Sequence, residues 1–386
     1  MLGEMSVQHV FIVGSKGIPA NYGGFETFVD KLAEIHRDNP HIKYHVACRA
    51  DTAREYAHHN AHCFGIPLPS IGPAASVYYD LAAMRYCCNY IRDERISGAI
   101  VYLLACRIGP FIGSYARILR RLGARLFVNP DGHEWQRAKW NAAIRRYWRF
   151  SEKLTVKHSD LVICDSQAIQ DYIASEYRRY EPKTTYIAYG ADTTRSACAQ
   201  ETVRAWYAQH GLDEGGYYLL VGRFVPENNL ETIISEFMRS STRRDCVVIA
   251  DVAENAFYAR LSKSTRFEDD RRIKFVGPLY DEQLLKKIRE NAYAYIHGHE
   301  VGGTNPSLLE ALASTEVNLV LDVPFNREVG RDGVLYFTKD RGSLRALIDA
   351  ADACYPDLGG KARQQIENRY TWEFIGRQYE RLFVGR

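Results

Sequence analysis

Residues 297–312, His-Gly-His-Glu-Val-Gly-Gly-Thr-Asn-Pro-Ser-Leu-Leu-Glu-Ala-Leu, have the side chains and spacing of a ligand loop. Residues 292–296 before it are apolar and β-prone, which predicts a buried strand. After it, Pro306 suits a first helical turn, and Leu308, Leu309 and Leu312 have helical spacing. The loop between holds His297, Gly298, His299, Gly302, Gly303, Thr304 and Asn305. Free backbone N–H groups and the positive end of a helix dipole favour a phosphate-bearing ligand there. Glu310, one turn inside the helix, can accept hydrogen bonds from sugar hydroxyls. A tight turn with an ordinary capped helix is the plainer reading.

Three other strand ends carry similar residues. Residues 217–221 are a strand followed by Gly222 and Arg223. A guanidinium at that position suits bidentate phosphate binding, and a structural salt bridge is the alternative. Residues 9–13 are a strand that runs into Gly14, Gly17, Gly23 and Gly24, with Glu26 opening the next helix. Gly23 and Gly24 let the backbone approach a ligand or simply turn tightly. Glu26 is favourable to the helix dipole in either case. The spacing fits neither a dinucleotide fingerprint nor a P-loop. Residues 125–128 are a strand, and Asp131, His133, Glu134, Trp135, Arg137, Lys139 and Trp140 follow it. In open α/β sheets ligands sit beyond the carboxyl ends of strands. Asp131 and Glu134 are therefore candidate sugar contacts or bases, or helix caps, and the tryptophans can stack on a sugar face.

The positioning elements follow a βαβα rhythm. Strands at 44–48, 98–104, 161–164, 246–250, 272–276 and 318–321 alternate with helices near 27–37, 77–93, 111–122, 140–158, 230–238 and 281–291. That rhythm predicts doubly wound parallel sheets. The polar run 193–200 is the expected linker, and an amphipathic helix is expected over 342–354. A chain of 386 residues suggests two domains. A net charge of +3 gives no sign of a nucleic-acid partner. None of the nine cysteines has CxxC spacing, so we expect buried, reduced thiols in a cytoplasmic protein, without zinc. No basic segment with a long apolar run opens the sequence, so no signal peptide is expected. No run approaches the ~20 apolar residues of a spanning helix. Arg117, Arg120 and Arg121 on one helix, and Arg145, Arg146 and Arg149 beside Tyr147, Trp148 and Phe150 on another, form a basic face with aromatic edges. It suits an anionic membrane surface or acceptor, or is an ordinary solvated face.

Residues 221–230, Val-Gly-Arg-Phe-Val-Pro-Glu-Asn-Asn-Leu, resemble the donor motif of family 4 retaining glycosyltransferases. Residues 297–312 resemble their acidic donor motif, and 322–328 the segment after it. Residues 14–32 and 129–140 look closer to bacterial rhamnosyltransferases of capsule and exopolysaccharide assembly. The resemblance implies a GT-B fold, two Rossmann-like doubly wound domains facing a central cleft. The expected domains are 1–195 on the acceptor side, 196–365 for the nucleotide sugar, and 366–386 as a helix packing back on the first domain. It implies that Gly23 and Gly24 line the donor phosphates, Arg223 binds the diphosphate and Glu310 holds the ribose. Thr304, Asn305, Gly303 and nearby amides would face the phosphate or the sugar. Two positions depart from the family. Asn228 stands where a lysine is usual, and Gly302 where a glutamate is usual. His299 and the loop amides are the expected compensation.

The function this implies is transfer of a hexosyl group, L-rhamnose from dTDP-rhamnose, to a lipid-linked saccharide, with retention. Asp131, Glu134 and Glu310 are the catalytic candidates, and Glu26, Trp135, Arg137 and Trp140 the acceptor-binding ones. No cofactor or metal is expected, since Arg223, the amides and the helix dipole can neutralise the leaving diphosphate. The expected location is the cytoplasm, peripheral on the inner face of the plasma membrane. Rival readings are a glucosyl, galactosyl or N-acetylhexosaminyl transferase, a non-catalytic sugar-nucleotide binder, and a sugar-nucleotide epimerase.

Overall fold

The computed structural model describes residues 7–20, 23–137, 139–350 and 358–385. The chain forms two compact units, residues 1–190 with 372–386, and residues 191–371. The expected seams at 195 and 365 thus fall at 190 and 371.

In the first unit the strands are β1 (Gln8–Val13), β2 (Ile42–Ala50), β3 (Glu55–His58), β4 (Ala61–Pro67), β5 (Ile100–Leu104), β6 (Arg125–Asn129), β7 (Leu161–Cys164) and β8 (Thr184–Tyr186). Among the described residues they make one eight-stranded sheet, in the order β3-β4-β2-β1-β5-β6-β7-β8. All pairs are parallel except β3 with β4. That antiparallel hairpin is an addition to the expected pattern. Apolar runs such as Val-Phe-Ile-Val in β1 suit strands covered on both faces. Helix Gly24–Ile35 buries Phe28, Val29, Leu32 and Ala33, an i, i+1, i+4, i+5 stripe. Helix Trp372–Val384 completes this unit. Tyr379 and Tyr102 share a hydroxyl contact of 3.1 Å, and the Gly376 carbonyl lies 3.1 Å from His36 Nε2. A Cβ at Gly190 would come within 2.4 Å of the Trp372 ring, so a glycine is required where this helix docks.

The second unit has β9 (Tyr217–Val221), β10 (Asp245–Ile249), β11 (Ile273–Phe275), β12 (Ala294–His297), β13 (Asn318–Leu321) and β14 (Leu335–Phe337). Its sheet is parallel, six strands among the described residues, in the order β11-β10-β9-β12-β13-β14. Alternate residues of single strands enter opposite cores. Tyr218, Leu220, Cys246 and Val248 join one layer, and Tyr217, Leu219, Val247 and Ile249 the other. Helices therefore cover both faces, the doubly wound arrangement. The order reverses between β9 and β12 here, and between β1 and β5 in the first unit, and ligands bind such sheets at those points. The expected helix at 342–354 is seen as Ser343–Ala350. Its remainder and Cys354 lie outside the described residues. Among the described residues no helix is long and apolar enough to cross a membrane.

Candidate functional site

The second unit places two loops at its switch point. One leaves β9 as residues 222–229 and includes a 3₁₀ turn, Pro226–Asn228. The other leaves β12 as residues 298–305 and enters helix Pro306–Ser314. Asn229 Nδ2 donates to the Gly298 carbonyl at 2.9 Å, and Glu300 N–H donates to the Glu227 carbonyl at 3.1 Å. The loops meet so closely that a Cβ at Gly298 would lie 2.4 Å from the Asn228 carbonyl oxygen. Asn326 Nδ2 donates to the His299 carbonyl at 3.1 Å from the far side. These bonds fix two loops that a flexible surface would leave mobile.

Asn228 and His299 form one unit. Asn228 Nδ2 donates to the Arg223 carbonyl at 2.7 Å, so its Oδ1 is the acceptor facing His299 Nδ1 at 2.8 Å. His299 must then carry its proton on Nδ1, which makes Nε2 an acceptor while the ring is neutral. Arg223 itself is exposed. Asn228 thus braces the Arg223 turn.

Gly302 has φ +121, a backbone that side chains rarely adopt. A glutamate cannot stand there without distorting the loop. Glu300 is turned elsewhere, paired with Lys339 at 2.5 Å. Thr304 is buried, and Asn305 caps the helix by accepting from Ser307 N–H at 2.9 Å. Glu310 is half exposed, with its carboxylate 2.6 Å from the buried Arg289. Arg289 was not among the sequence candidates. His297, at the start of the loop singled out from the sequence, has its pKa lowered by burial to about 3, and its Nε2 has no hydrogen-bond partner. His297 therefore stays neutral, with an imidazole nitrogen unused by the protein. The adjacent acidic pair Asp269-Asp270 is committed to Arg266 and Arg272 at 2.7 Å each.

In the first unit Gly23 begins helix Gly24–Ile35 with φ +129, and a Cβ there would lie 1.9 Å from Glu26 Oε2. Glu26 Oε1 accepts from Lys16 N–H at 2.6 Å. This buried carboxylate holds the loop, which accounts for its position without an acceptor. At Gly14, φ is +109 and a Cβ would strike the Leu104 carbonyl at 2.2 Å, so the ends of β1 and β5 nearly touch. Arg107 Nη1 donates to the Gly14 carbonyl at 3.1 Å and to buried Asp80 at 2.9 Å. Arg107 follows β5 as Arg223 follows β9. That parallel was the available signal, and the sequence reading passed over it.

After β6, Asp131 and His133 both have positive φ, 63° and 53°. Glu134 is enclosed by donors: Arg137 Nε on one oxygen, and Lys139 Nζ and Trp140 Nε1 at 3.0 Å on the other. Burial pushes its pKa up, but Arg137 and Lys139 outweigh that and hold it below the usual carboxylate range. Asp131 lies 4.0 Å from Arg137 and is more open than Glu134. Trp135 lies under the Arg149 guanidinium, 5.1 Å from ring centroid to charge. Arg117, Arg120, Arg121, Arg145, Arg146 and Arg149 are all exposed, on the packed helices Gly109–Arg121 and Ala142–His158. Phe111, Ile118, Ile144, Tyr147 and Phe150 are exposed on the same two helices. Arg149 is also paired with Glu176 at 2.8 Å.

Residues 7–192 match a family described as a domain of unknown function, DUF1972. The O-antigen chain mannosyltransferase RfbU of Salmonella typhimurium is 23% identical over 195 residues. That match covers 50% of this chain and 51% of the relative, so the chain spans about half the length of the curated relative it matches. Among solved structures, a glycosyltransferase from Rickettsia africae superimposes with a TM-score of 0.73 at 13% identity, covering 98% of each chain. Sucrose-phosphate synthase from Thermosynechococcus elongatus gives 0.74 at 16% identity, over 98% of this chain and 100% of that one. Anabaena HepE in complex with UDP and glucose gives 0.73 at 15% identity, again over 98% and 100%. With two Rossmann-like α/β units and these neighbours, the chain has the GT-B fold of glycosyltransferases.

Proposed function

We propose that this protein is a glycosyltransferase that moves a hexosyl group from a nucleotide sugar to a lipid-linked saccharide in cell-surface polysaccharide synthesis. One observation carries the reading. At the switch point of the second unit, exposed Arg223 and the 298–305 loop stand above a helix whose Glu310 is held by Arg289. Arg223 meets the donor diphosphate, aided by the amides of Gly303 and Thr304 and the N-terminal end of helix Pro306–Ser314. Glu310, fixed on one side by Arg289, accepts from ribose hydroxyls. His299, held by Asn228, is assigned to shaping the donor side of this loop. Charge growing on the leaving diphosphate is balanced by these groups, so no metal is required by the reading. Transfer proceeds with retention, and no residue needs to act as a dedicated base.

In the first unit, Asp131, Trp135 and Trp140 are assigned to the acceptor saccharide. Glu134 and Arg137 act as the brace that sets that loop. The exposed arginines and aromatic residues of helices Gly109–Arg121 and Ala142–His158 support docking on an anionic membrane, where a lipid-linked acceptor resides.

The donor we propose is dTDP-L-rhamnose, from the rhamnosyltransferase-like segments 14–32 and 129–140. A UDP-hexose is the second reading, favoured by the neighbour that holds UDP and glucose. Labelled dTDP-rhamnose, UDP-glucose, UDP-galactose and UDP-N-acetylhexosamines, each with a lipid-linked acceptor, separate the two. Label reaching lipid from dTDP-rhamnose supports the first donor, and label from a UDP-sugar the second. Tight binding of a donor without transfer to any acceptor would overturn the enzymatic reading.

A further inference from the structure

Asp30, His58 and His59 meet at the edge of the first unit, and none is assigned above to donor or acceptor. Asp30 lies on helix Gly24–Ile35 and His58 ends β3. His58 pairs with Ala61 across the hairpin, so His59 and Asn60 form its two-residue turn. Successive side chains of a strand point to opposite faces. The turn breaks that alternation, with φ +46 at His59 and +60 at Asn60. Both imidazoles therefore fall together, with ring centroids 4.1 Å apart. Turns of this kind usually take Asn-Gly, so a histidine here is unusual for the backbone alone.

The two rings converge on one carboxylate oxygen. His58 Nε2 is 2.8 Å and His59 Nε2 3.7 Å from Asp30 Oδ1. One ligand atom from each of the three residues lies within 4.8 Å of the others. Asp30 Oδ2 is held by Ala20 N–H at 2.7 Å, so the backbone orients the carboxylate. Outer hydrogen bonds of this kind set metal ligands in place. The side chains of His58, His59 and Asp30 keep 25%, 25% and 19% of their exposure, which leaves solvent access to the point where they meet.

We propose that Asp30, His58 and His59 form a binding site for a divalent transition-metal ion of the Zn²⁺ class. Two imidazoles and a carboxylate with an open fourth position are a ligand set for zinc, and for related metals. Bonds near 2.0–2.1 Å put the ligand atoms of a tetrahedral site about 3.3 Å apart. The separations of 2.8 and 3.7 Å bracket that value, so small side-chain shifts accommodate the ion. The ion ties the hairpin to the helix. Tyr56 of the same hairpin donates to the Ile18 carbonyl at 2.5 Å, and Asp30 holds Ala20, so it also braces residues 14–20 of the glycine loop. Its role is structural, separate from the transfer chemistry.

The test uses tag-free full-length protein, dialysed free of metal and titrated with Zn²⁺ and Co²⁺. The expected result is about one ion per chain, with the visible bands of four-coordinate Co²⁺ and a rise in Tm on adding Zn²⁺. His58→Ala, His59→Ala and Asp30→Asn should each weaken binding by more than the roughly tenfold to hundredfold typical of losing an outer partner. His62→Gln, at a neighbouring histidine outside the cluster, should leave binding unchanged. Absence of Zn²⁺ and Co²⁺ binding in the wild type would overturn the proposal and leave an ordinary histidine–aspartate contact. Binding that survives the first three substitutions would overturn it as well, whatever their effect on Tm.

Discussion

Arg223 is the side chain that the proposed chemistry needs most and the fold needs least. It is exposed, so Arg223→Ala should leave the Tm unchanged. Losing charge-assisted bonds to a diphosphate should cost about 1.5–3 kcal/mol, roughly ten- to a hundredfold in donor affinity. Arg289 is the opposite case. It is buried against Glu310, so Arg289→Ala frees the carboxylate to swing and leaves helix Pro306–Ser314 without its anchor. Donor KM should rise more than kcat falls, and Tm should drop, which steady-state kinetics and calorimetry can check. Gly302→Glu would place in this loop the residue usual in family 4 glycosyltransferases, which the segment resembles. At φ +121 it should cost on the order of 1–3 kcal/mol of stability and give no gain in transfer rate. Arg223 and Asn305 could be named from the sequence because one follows a strand and the other caps a helix, and Glu310 because it lies one turn inside that helix. Arg289 could not, because its partner is 21 positions away in a different element. The bond from Asn228 to His299 spans 71 positions and was equally hidden, although both residues were named.

At the scale of elements, the apolar parallel strands declared themselves. Residues 217–221, 161–164 and 318–321 were placed to the residue as strands, and 230–238 as a helix. The β3–β4 hairpin did not. Its tip, Tyr-Ala-His-His-Asn-Ala-His, is polar and half exposed and lacks an apolar face to mark its period. The hairpin also brings three histidines into line across three strands, with Glu55 on a fourth. His9 Nδ1 lies 2.9 Å from His45 Nε2, His45 Nδ1 lies 3.0 Å from His62 Nδ1, and His62 Nε2 lies 3.1 Å from Glu55. Burial lowers the His45 pKa to about 3, with His9, His62 and Lys43 adding to the effect. His297 in the second unit is lowered to a similar value. Both groups take up a proton more readily when unfolded, near 6.5, than when folded. Their contribution to stability is complete above pH 6.5 and is lost as pH falls toward 3. Between those values each should remove up to about 1.4 kcal/mol per pH unit. Urea unfolding at pH 7.5, 6 and 5 should show that slope, and His45→Gln should flatten part of it. An equal slope in the variant would show that His45 is not its source.

For the whole molecule, two Rossmann-like units give two switch points, each with an arginine following a strand, Arg107 in one and Arg223 in the other. They differ in use. Arg107 is tied to Asp80 and the Gly14 carbonyl, while Arg223 is open to solvent. The first unit also carries the basic, aromatic-edged helices. Flotation with anionic vesicles should recover the protein at low salt, and less of it as the Debye length shrinks to about 10 Å near 0.1 M salt. Recovery that ignores salt, or that is equal on neutral vesicles, would remove the membrane from the account. The measurement that tests the central claim most directly is titration of dTDP and UDP into the wild type and Arg223→Ala. A nucleoside diphosphate held by the wild type, and lost by roughly ten- to a hundredfold in a variant of unchanged Tm, is the predicted result. Equal affinity in the two proteins, or no nucleotide binding by the wild type, would contradict the assignment of this switch point as the donor site.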